Sequence, residues 1–289
     1  MTERGLSDEE LRRPAPAQLA VLGQPISHSK SPVIHRAAYS ALDLPWEYEA
    51  IECGESHLAD FLSSRGPEWR GFSLTMPLKD EARRLAAVVD PVAEESGVVN
   101  TLLRLTDRAG KPQWAGFNTD VAGLAAAIRR AGLDATHTVV LGAGATATSA
   151  VLAARDLGAQ SVTVSARRTE AADAVVQRFP DLAQAMPLGS IPDDGSTLVI
   201  STLPGPAGAS VQLPAELFSV PLFDVAYDPW PSPLAQRWRE AGGEAYAGLE
   251  MLVEQALVQI RIFVQGDPNT ALENEQAVLD EMRAVSVGG

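Results

Sequence analysis

The amino-acid sequence predicts an α/β protein of two domains, the second built on a parallel sheet. Three observations carry that expectation. Between Thr138 and about Gly248, strand-like and helix-like runs alternate: THTVVLGAG, TSAVLAARDLG, SVTVSA, EAADAVVQRF, STLVIST and LFDVAY, the pattern of successive βα units. A glycine-rich turn joins the first two of these runs. At 289 residues, 46% apolar and 21% charged, with 23 Gly and 20 Pro, the chain can bury a core and still make many turns.

The elements before that region follow in order. Residues Met1 to about Gln18 are polar, with Pro14 and Pro16, and read as a leader before a first strand, Leu19–Leu22. After GQPISHSKSP comes a helix over Val33–Leu42 starting near Pro32, then an extended run around Trp46–Ile51. Leu58–Ser63 reads as a short helix and Gly71–Leu74 as a strand. Pro77–Val88 reads as a helix with proline in its first turn, and Gly97–Leu105 contains a further strand. This first domain is therefore α/β as well. Asp120 stands just before VAGLAAAIRRAG, a helix stopping at Gly132, and can cap its free amides. GLEMLVEQALVQIRIFV is apolar enough that it has to bury itself against something already formed. The expected divisions are a leader at 1–18, a substrate domain at 19–119, a nucleotide domain at 120–248 and C-terminal helices at 249–289.

Charge and cysteine content exclude several classes. The formal net charge is −14, from 37 acidic and 23 basic residues, so nucleic acid and anionic membrane surfaces are repelled on average. The single cysteine, Cys53, has no disulfide partner within the chain. The four histidines show no zinc spacing, so no metal is expected and a reducing, cytoplasmic setting is. The first twenty residues lack a signal-peptide apolar block, and no uninterrupted apolar run reaches the roughly 18 residues of a spanning helix. The expected partner is a small molecule, with the chain a monomer or homodimer.

Gly142-Ala143-Gly144-Ala145-Thr146-Ala147 follows the run Thr138–Leu141 and opens a helix. That is the strand–turn–helix setting of a dinucleotide fingerprint in a Rossmann-type fold. Gly142 permits the tight turn, Gly144 the approach of a pyrophosphate, and Ala147 the helix–sheet contact, while the helix N-terminus receives the phosphates. After the second strand an acidic residue would favour NAD. Here Val162–Ser165 runs into Ala166-Arg167-Arg168, and paired guanidiniums suit the 2′-phosphate of NADP.

The first half adds Gly23-Gln24-Pro25-Ile26-Ser27-His28-Ser29-Lys30-Ser31-Pro32, Gly71-Phe72-Ser73-Leu74-Thr75-Met76-Pro77-Leu78-Lys79, Val99-Asn100-Thr101 and Gly116-Phe117-Asn118-Thr119-Asp120. With Asp224–Pro229 and Gly248–Ala256, these segments in this order resemble the shikimate dehydrogenase family over about residues 19 to 265. The resemblance implies reversible reduction of 3-dehydroshikimate to shikimate by NADPH in aromatic amino-acid biosynthesis. It also implies a catalytic domain with its own mixed sheet, a Rossmann NADP domain, and C-terminal helices that return to the catalytic domain. Position by position, Lys79 and Asp120 resemble the catalytic pair, and Ser27 and Ser29 the hydroxyls that hold the substrate carboxylate. Thr75, Asn100 and Gln255 fall where the family binds ring hydroxyls or steadies the pair, and Tyr227 near the carboxylate. Cofactor contacts are implied at Gly142 to Thr146, at Ala166, Arg167 and Arg168, and at Thr202 and Gly248.

The chain departs from the family pattern in places. Ser73 stands for a usual asparagine, Arg36 follows His35 where asparagine is common, and Ala145-Thr146 replaces Gly-Ala. Ser201-Thr202-Leu203-Pro204 replaces Asn-Ala-Thr-Pro near the nicotinamide. A catabolic quinate or shikimate dehydrogenase is the alternative reading, and a non-catalytic sensor of the same fold a remoter one.

The residue types make chemical sense. Reducing a ring ketone requires a hydride on one face and a proton at the oxygen, and a lysine beside an aspartate supplies the proton while stabilising developing negative charge. In the first turn of a helix, Lys79 feels the positive dipole end, which favours proton release, while Asp120 favours the charged form. His28 and His35 do not form a metal pair, Cys53 reads as a packed thiol, and Asp224 and Asp228 as turn residues.

Overall fold

The computed structural model describes residues 15–190 and 195–286. Along its first part run β1 (Ala17–Gly23), α1 (Ser31–Ala41), β2 (Trp46–Glu52), α2 (Leu58–Ser63), β3 (Trp69–Leu74), α3 (Lys79–Leu85), β4 (Val88–Val89), α4 (Pro91–Ser96), β5 (Thr101–Thr106) and β6 (Pro112–Phe117). The strands form one sheet in the order β2-β1-β3-β5-β6-β4. Pairing is parallel between β1 and its two neighbours, antiparallel from β3 to β5 to β6, and parallel again to β4. This is a mixed sheet.

The chain continues through α5 (Asp120–Arg130), β7 (His137–Leu141), α6 (Ala145–Asp156), β8 (Ser161–Ala166), α7 (Thr169–Val176), β9 (Ala183–Pro187), β10 (Leu198–Ser201), β11 (Leu222–Asp224), α8 (Pro233–Glu240) and β12 (Ala245–Ala247). Its second sheet has the order β12-β11-β10-β7-β8-β9 and is parallel throughout. Strand order reverses between β7 and β10, the switch point where open α/β sheets hold ligands. The chain ends with α9 (Leu249–Gln265) and α10 (Glu275–Ser286).

Alternation along the strands accounts for the layers. In β1, Leu19 and Val21 join one core while Ala20 and Leu22 join the core on the opposite face. The first of these cores takes Ile260, Ile262 and Phe263 of α9 and Met282 of α10. The apolar C-terminal helix therefore returns to the first sheet. In the second sheet Val140 and Ile200 face one core, Val139 and Val199 the other. No helix among the described residues is long and apolar enough to cross a membrane.

Several boundaries differ from the sequence expectation. β1 begins at Ala17, inside the span read as a leader; residues 1–14 of that span lie outside the described residues. The helix expected over Pro77–Val88 starts at Lys79 and ends at Leu85, with Pro77 ahead of it. Ala86 is extended and the Ala87 amide donates to the Trp114 carbonyl, so sheet pairing captures Val88 and Val89. Strands β4, β6, β9 and β12 and helix α4 were not expected.

Candidate active site

The site lies between the two sheets. A cavity of about 320 Å³ is lined from the first sheet's side by Ser29, Ser73, Thr75 and Lys79, from the start of α5 by Asp120, from the second sheet's side by Thr146, Val225, Tyr227 and Gly248, and from α9 by Met251, Leu252 and Gln255.

Lys79 opens α3 and Asp120 opens α5, and their side chains meet with Nζ 2.5 Å from Oδ2. Both are largely buried, with side-chain exposures of 13% and 7%, so solvent screens the pair little. Asp120 does not cap α5, contrary to the sequence expectation. It is the first helical residue, Thr119 holds the cap position, and no side chain caps the amides. Its carboxylate is instead engaged by two stronger donors, Lys79 and the Nδ2 of Asn100 at 2.8 Å. Asn100, only 1% exposed, stays behind the pair rather than in the cavity wall.

Gln255 reaches this cluster because α5 and α9 cross closely. A Cβ on Gly123 would stand 2.6 Å from that of Gln255 and 2.7 Å from its backbone nitrogen, so only glycine permits the approach. Gln255 Oε1 then accepts from the Thr119 hydroxyl at 3.3 Å. Thr75, in the cavity wall, packs on Gly23, and its methyl would stand 2.3 Å from a Cβ added there.

Ser29 lines the cavity, its hydroxyl accepting from the Ser31 amide at 3.3 Å at the start of α1. Ser27 is exposed and does not join it there. The turn between β1 and α1 is irregular rather than extended, so residues two apart do not share a face. Across the cavity, Tyr227 takes a backbone hydrogen bond from Lys30, and burial together with Asp228 raises its phenol pKa. That contact bridges the two halves at the mouth.

The glycine turn sits at the end of β7. Gly142 has φ +118°, and an added Cβ would stand 2.3 Å from the Thr202 hydroxyl, which itself donates to the Leu141 carbonyl at 3.0 Å. Gly144 caps α6 and faces open space, while Ala147 is fully buried against the sheet. Ala143, Ala145 and Thr146 are half-buried around the turn, and Thr146 joins the cavity wall. Ala166 ends β8 in the core, with Arg167 and Arg168 exposed beyond it. Among the described residues neither guanidinium has an ion-pair partner, and no group of three or more His, Cys, Asp or Glu could hold a metal ion. Gly248 packs against Val225, whose carbonyl lies 2.1 Å from where a Cβ would be.

Sequence reasoning missed Thr101, Thr119 and Gln259, which surround Asn100 and Ser73 in the core. A signal was present for one of them. Gln259 is a carboxamide amid LVQIRIFV, and a polar group inside an apolar helical stretch requires buried partners.

A mixed sheet carrying a buried lysine–aspartate pair, facing the switch point of a parallel sheet, defines a two-domain α/β oxidoreductase. Similarity to known proteins narrows this further. The family profile of the shikimate dehydrogenase substrate binding domain matches residues 21–102. The shikimate dehydrogenase (NADP(+)) of Alkalilimnicola ehrlichii is 32% identical over 270 residues, covering 87% of this chain and 95% of that protein. The pentafunctional AROM polypeptide of Yarrowia lipolytica is 31% identical over 90% of this chain, which spans only 17% of that polypeptide. The crystal structure of Mycobacterium tuberculosis shikimate dehydrogenase superposes with a TM-score of 0.79 at 35% identity, covering 93% of this chain and 100% of that one. The Thermus thermophilus shikimate 5-dehydrogenase, solved in complex with NADP(H) and shikimate, gives 0.78 at 30% identity, covering 93% and 99%. The chain belongs to the shikimate dehydrogenase family.

Proposed function

We propose that the protein catalyses the reversible reduction of 3-dehydroshikimate to shikimate with NADPH. The observation that carries this reading is the Lys79–Asp120 pair, 2.5 Å apart in the wall of a cavity that the glycine turn also lines through Thr146.

The residues at the switch point fit a dinucleotide. Gly144, at the N-terminus of α6, leaves open space where a side chain would stand, no side chain caps that helix start, and Arg167 and Arg168 are exposed to meet a 2′-phosphate. Thr202 and Gly248 complete that rim. When bound, NADPH supplies the hydride. Lys79 Nζ donates the proton to the carbonyl oxygen of the substrate, and its charge stabilises the developing alkoxide. Asp120 holds the ammonium in place. In the reverse direction the neutral amine accepts the hydroxyl proton. Ser29 and Tyr227, which line the cavity, offer hydroxyls for the substrate carboxylate, and Ser27 stands two residues from Ser29 in the same turn. Thr75 and Gln255, which line the cavity, are the groups for the ring hydroxyls, and Asn100, behind the pair, steadies Asp120.

The test is a panel of shikimate and quinate, each with NADP and NAD, run on the wild-type protein, on Lys79→Ala and on Arg167→Ala/Arg168→Ala. Shikimate with NADP is expected to be the preferred combination. Lys79→Ala should lower kcat by about 10²–10⁴-fold with cofactor affinity within a few-fold. The double arginine variant should lose about tenfold to a hundredfold in NADP affinity per strong contact and keep its NAD affinity. Turnover of quinate but not shikimate would overturn the substrate, and equal weakening of both cofactors would overturn the NADP reading.

A further inference from the structure

A chain of buried hydrogen bonds runs from the core of the first domain to the reacting pair. At its far end are His35, Tyr39 and Tyr48, each at most 1% exposed. His35 is held neutral, since burial pushes its pKa down to about 3. With one ring nitrogen accepting from the Tyr39 hydroxyl at 3.1 Å, the other donates to Gln259 Oε1 at 3.2 Å. Tyr48 donates to Ser73 at 2.6 Å, and Ser73 in turn donates to the same Gln259 oxygen at 2.8 Å.

The orientation of Gln259 follows from its other end. Its Nε2 faces Thr101 Oγ1 at 3.0 Å and the main-chain carbonyl of Asn100 at 3.5 Å. A carbonyl only accepts, so the amide nitrogen has to point there. Thr101 Oγ1, having received that N–H, donates to Asn100 Oδ1 at 2.9 Å. The Thr119 main-chain amide donates to the same oxygen, also at 2.9 Å. Asn100 is thereby pinned from two sides and presents Nδ2 to Asp120 Oδ1, leaving Oδ2 for Lys79. Ser73 and Thr101 are direct cross-strand partners on β3 and β5, which is why one glutamine of α9 reaches both.

We propose that Thr101, set by Gln259, is a positioning residue for the reaction: its hydroxyl fixes the Asn100 carboxamide and through it the Asp120 carboxylate. Thr101 is fully buried and does not line the cavity, so it acts without touching substrate. The inference rests on the proposed reaction for its kinetic arm only.

Thr101→Val keeps the shape and removes the hydroxyl; Thr101→Ser keeps the hydroxyl. Thr101→Val should lower kcat for 3-dehydroshikimate reduction by about fivefold to twentyfold, the worth of one buried hydrogen bond near a charge. KM for both substrates should stay within about twofold of wild type, and Thr101→Ser should restore kcat. A second arm needs no turnover. In ¹⁵N-labelled protein the Asn100 side-chain amide should exchange slowly with solvent in wild type and Thr101→Ser, and faster in Thr101→Val. A valine variant with wild-type kcat and unchanged amide exchange overturns the proposal, as does a serine variant as impaired as the valine. If wild type is silent with 3-dehydroshikimate, the functional reading fails while amide exchange still decides the positioning role.

Discussion

His35 shows how one buried side chain writes a pH dependence into the whole protein. In the unfolded chain its imidazole titrates near its ordinary 6.5, whereas the folded protein holds it down at about 3 by burial. The unfolded state therefore binds a proton that the folded state refuses, and stability falls as pH drops through 6.5 and levels off near 3. The slope from this one group approaches about 1.4 kcal/mol per pH unit within that window. Urea unfolding of wild type and His35→Phe at steps from about pH 7 to about pH 4 isolates it. The hydrogen bonds lost in the variant shift its curve by a constant, so the gap between the two proteins should narrow steadily as pH falls. A constant gap across the range would mean that His35 takes up its proton in the folded state as readily as in the unfolded chain.

Elements carry the site through their crossings more than through their ends. The α5–α9 contact at Gly123 sets where Gln255 and Thr119 stand, and a methyl there meets backbone, which cannot swing aside as a flexible side chain can. Gly123→Ala is expected to cost about 1–3 kcal/mol of stability by overpacking. It should also depress kcat, because α9 shifts relative to the carboxylate that opens α5. A thermal melt with steady-state kinetics checks both, and an unchanged melt would place slack in that crossing.

How far such elements could be read from the sequence depended on the kind of signal each carries. The glycine turn, Lys79, Asp120 and the apolar run of α9 announce themselves locally, through backbone freedom, motif order or periodicity. Strands of two to five residues such as β4, β9 and β12 do not. Val88–Val89 becomes a strand only because β6 lies alongside it, and periodicity cannot show a neighbour. The same limit hid Thr101 and Gln259, whose roles exist only once β5 and α9 meet, and it misplaced the Asp120 carboxylate on its own helix.

On the scale of the whole molecule, the two halves are held together away from the cavity as well as at its mouth. Asn118 Nδ2 donates to Ser96 at 2.9 Å and to Ser149 of α6 at 3.1 Å, all three residues buried. Arg155 of α6 grips the carboxylate of Glu95 on α4 with two nitrogens at 2.5 and 2.9 Å. The arginine pair is half exposed, with side-chain exposures of 43% and 44%, so it contributes at most about 1 kcal/mol. The covalent continuation into α9 matters more. Truncation after Gly248 removes Val253, Ile260, Ile262, Phe263 and Met282, all buried in the core shared with β1 and α1, and exposes the facing apolar surface. The shortened protein is expected to aggregate or to lose its cooperative melt, read by circular dichroism and light scattering. A soluble fragment with the full-length melting temperature would show that the first domain closes without these helices.

That return of the C-terminal helices also sets a schedule for synthesis. The ribosome releases β1 to β6 early, yet one face of their sheet has only α1 for cover until α9 and α10 emerge. At about 5–20 residues per second, the wait is on the order of ten to thirty seconds. Meanwhile β7 to β12 have all their partners within one continuous stretch and can fold as a unit. The half of the protein made first is thus completed last, and its nascent apolar face is where a chaperone has most to shield.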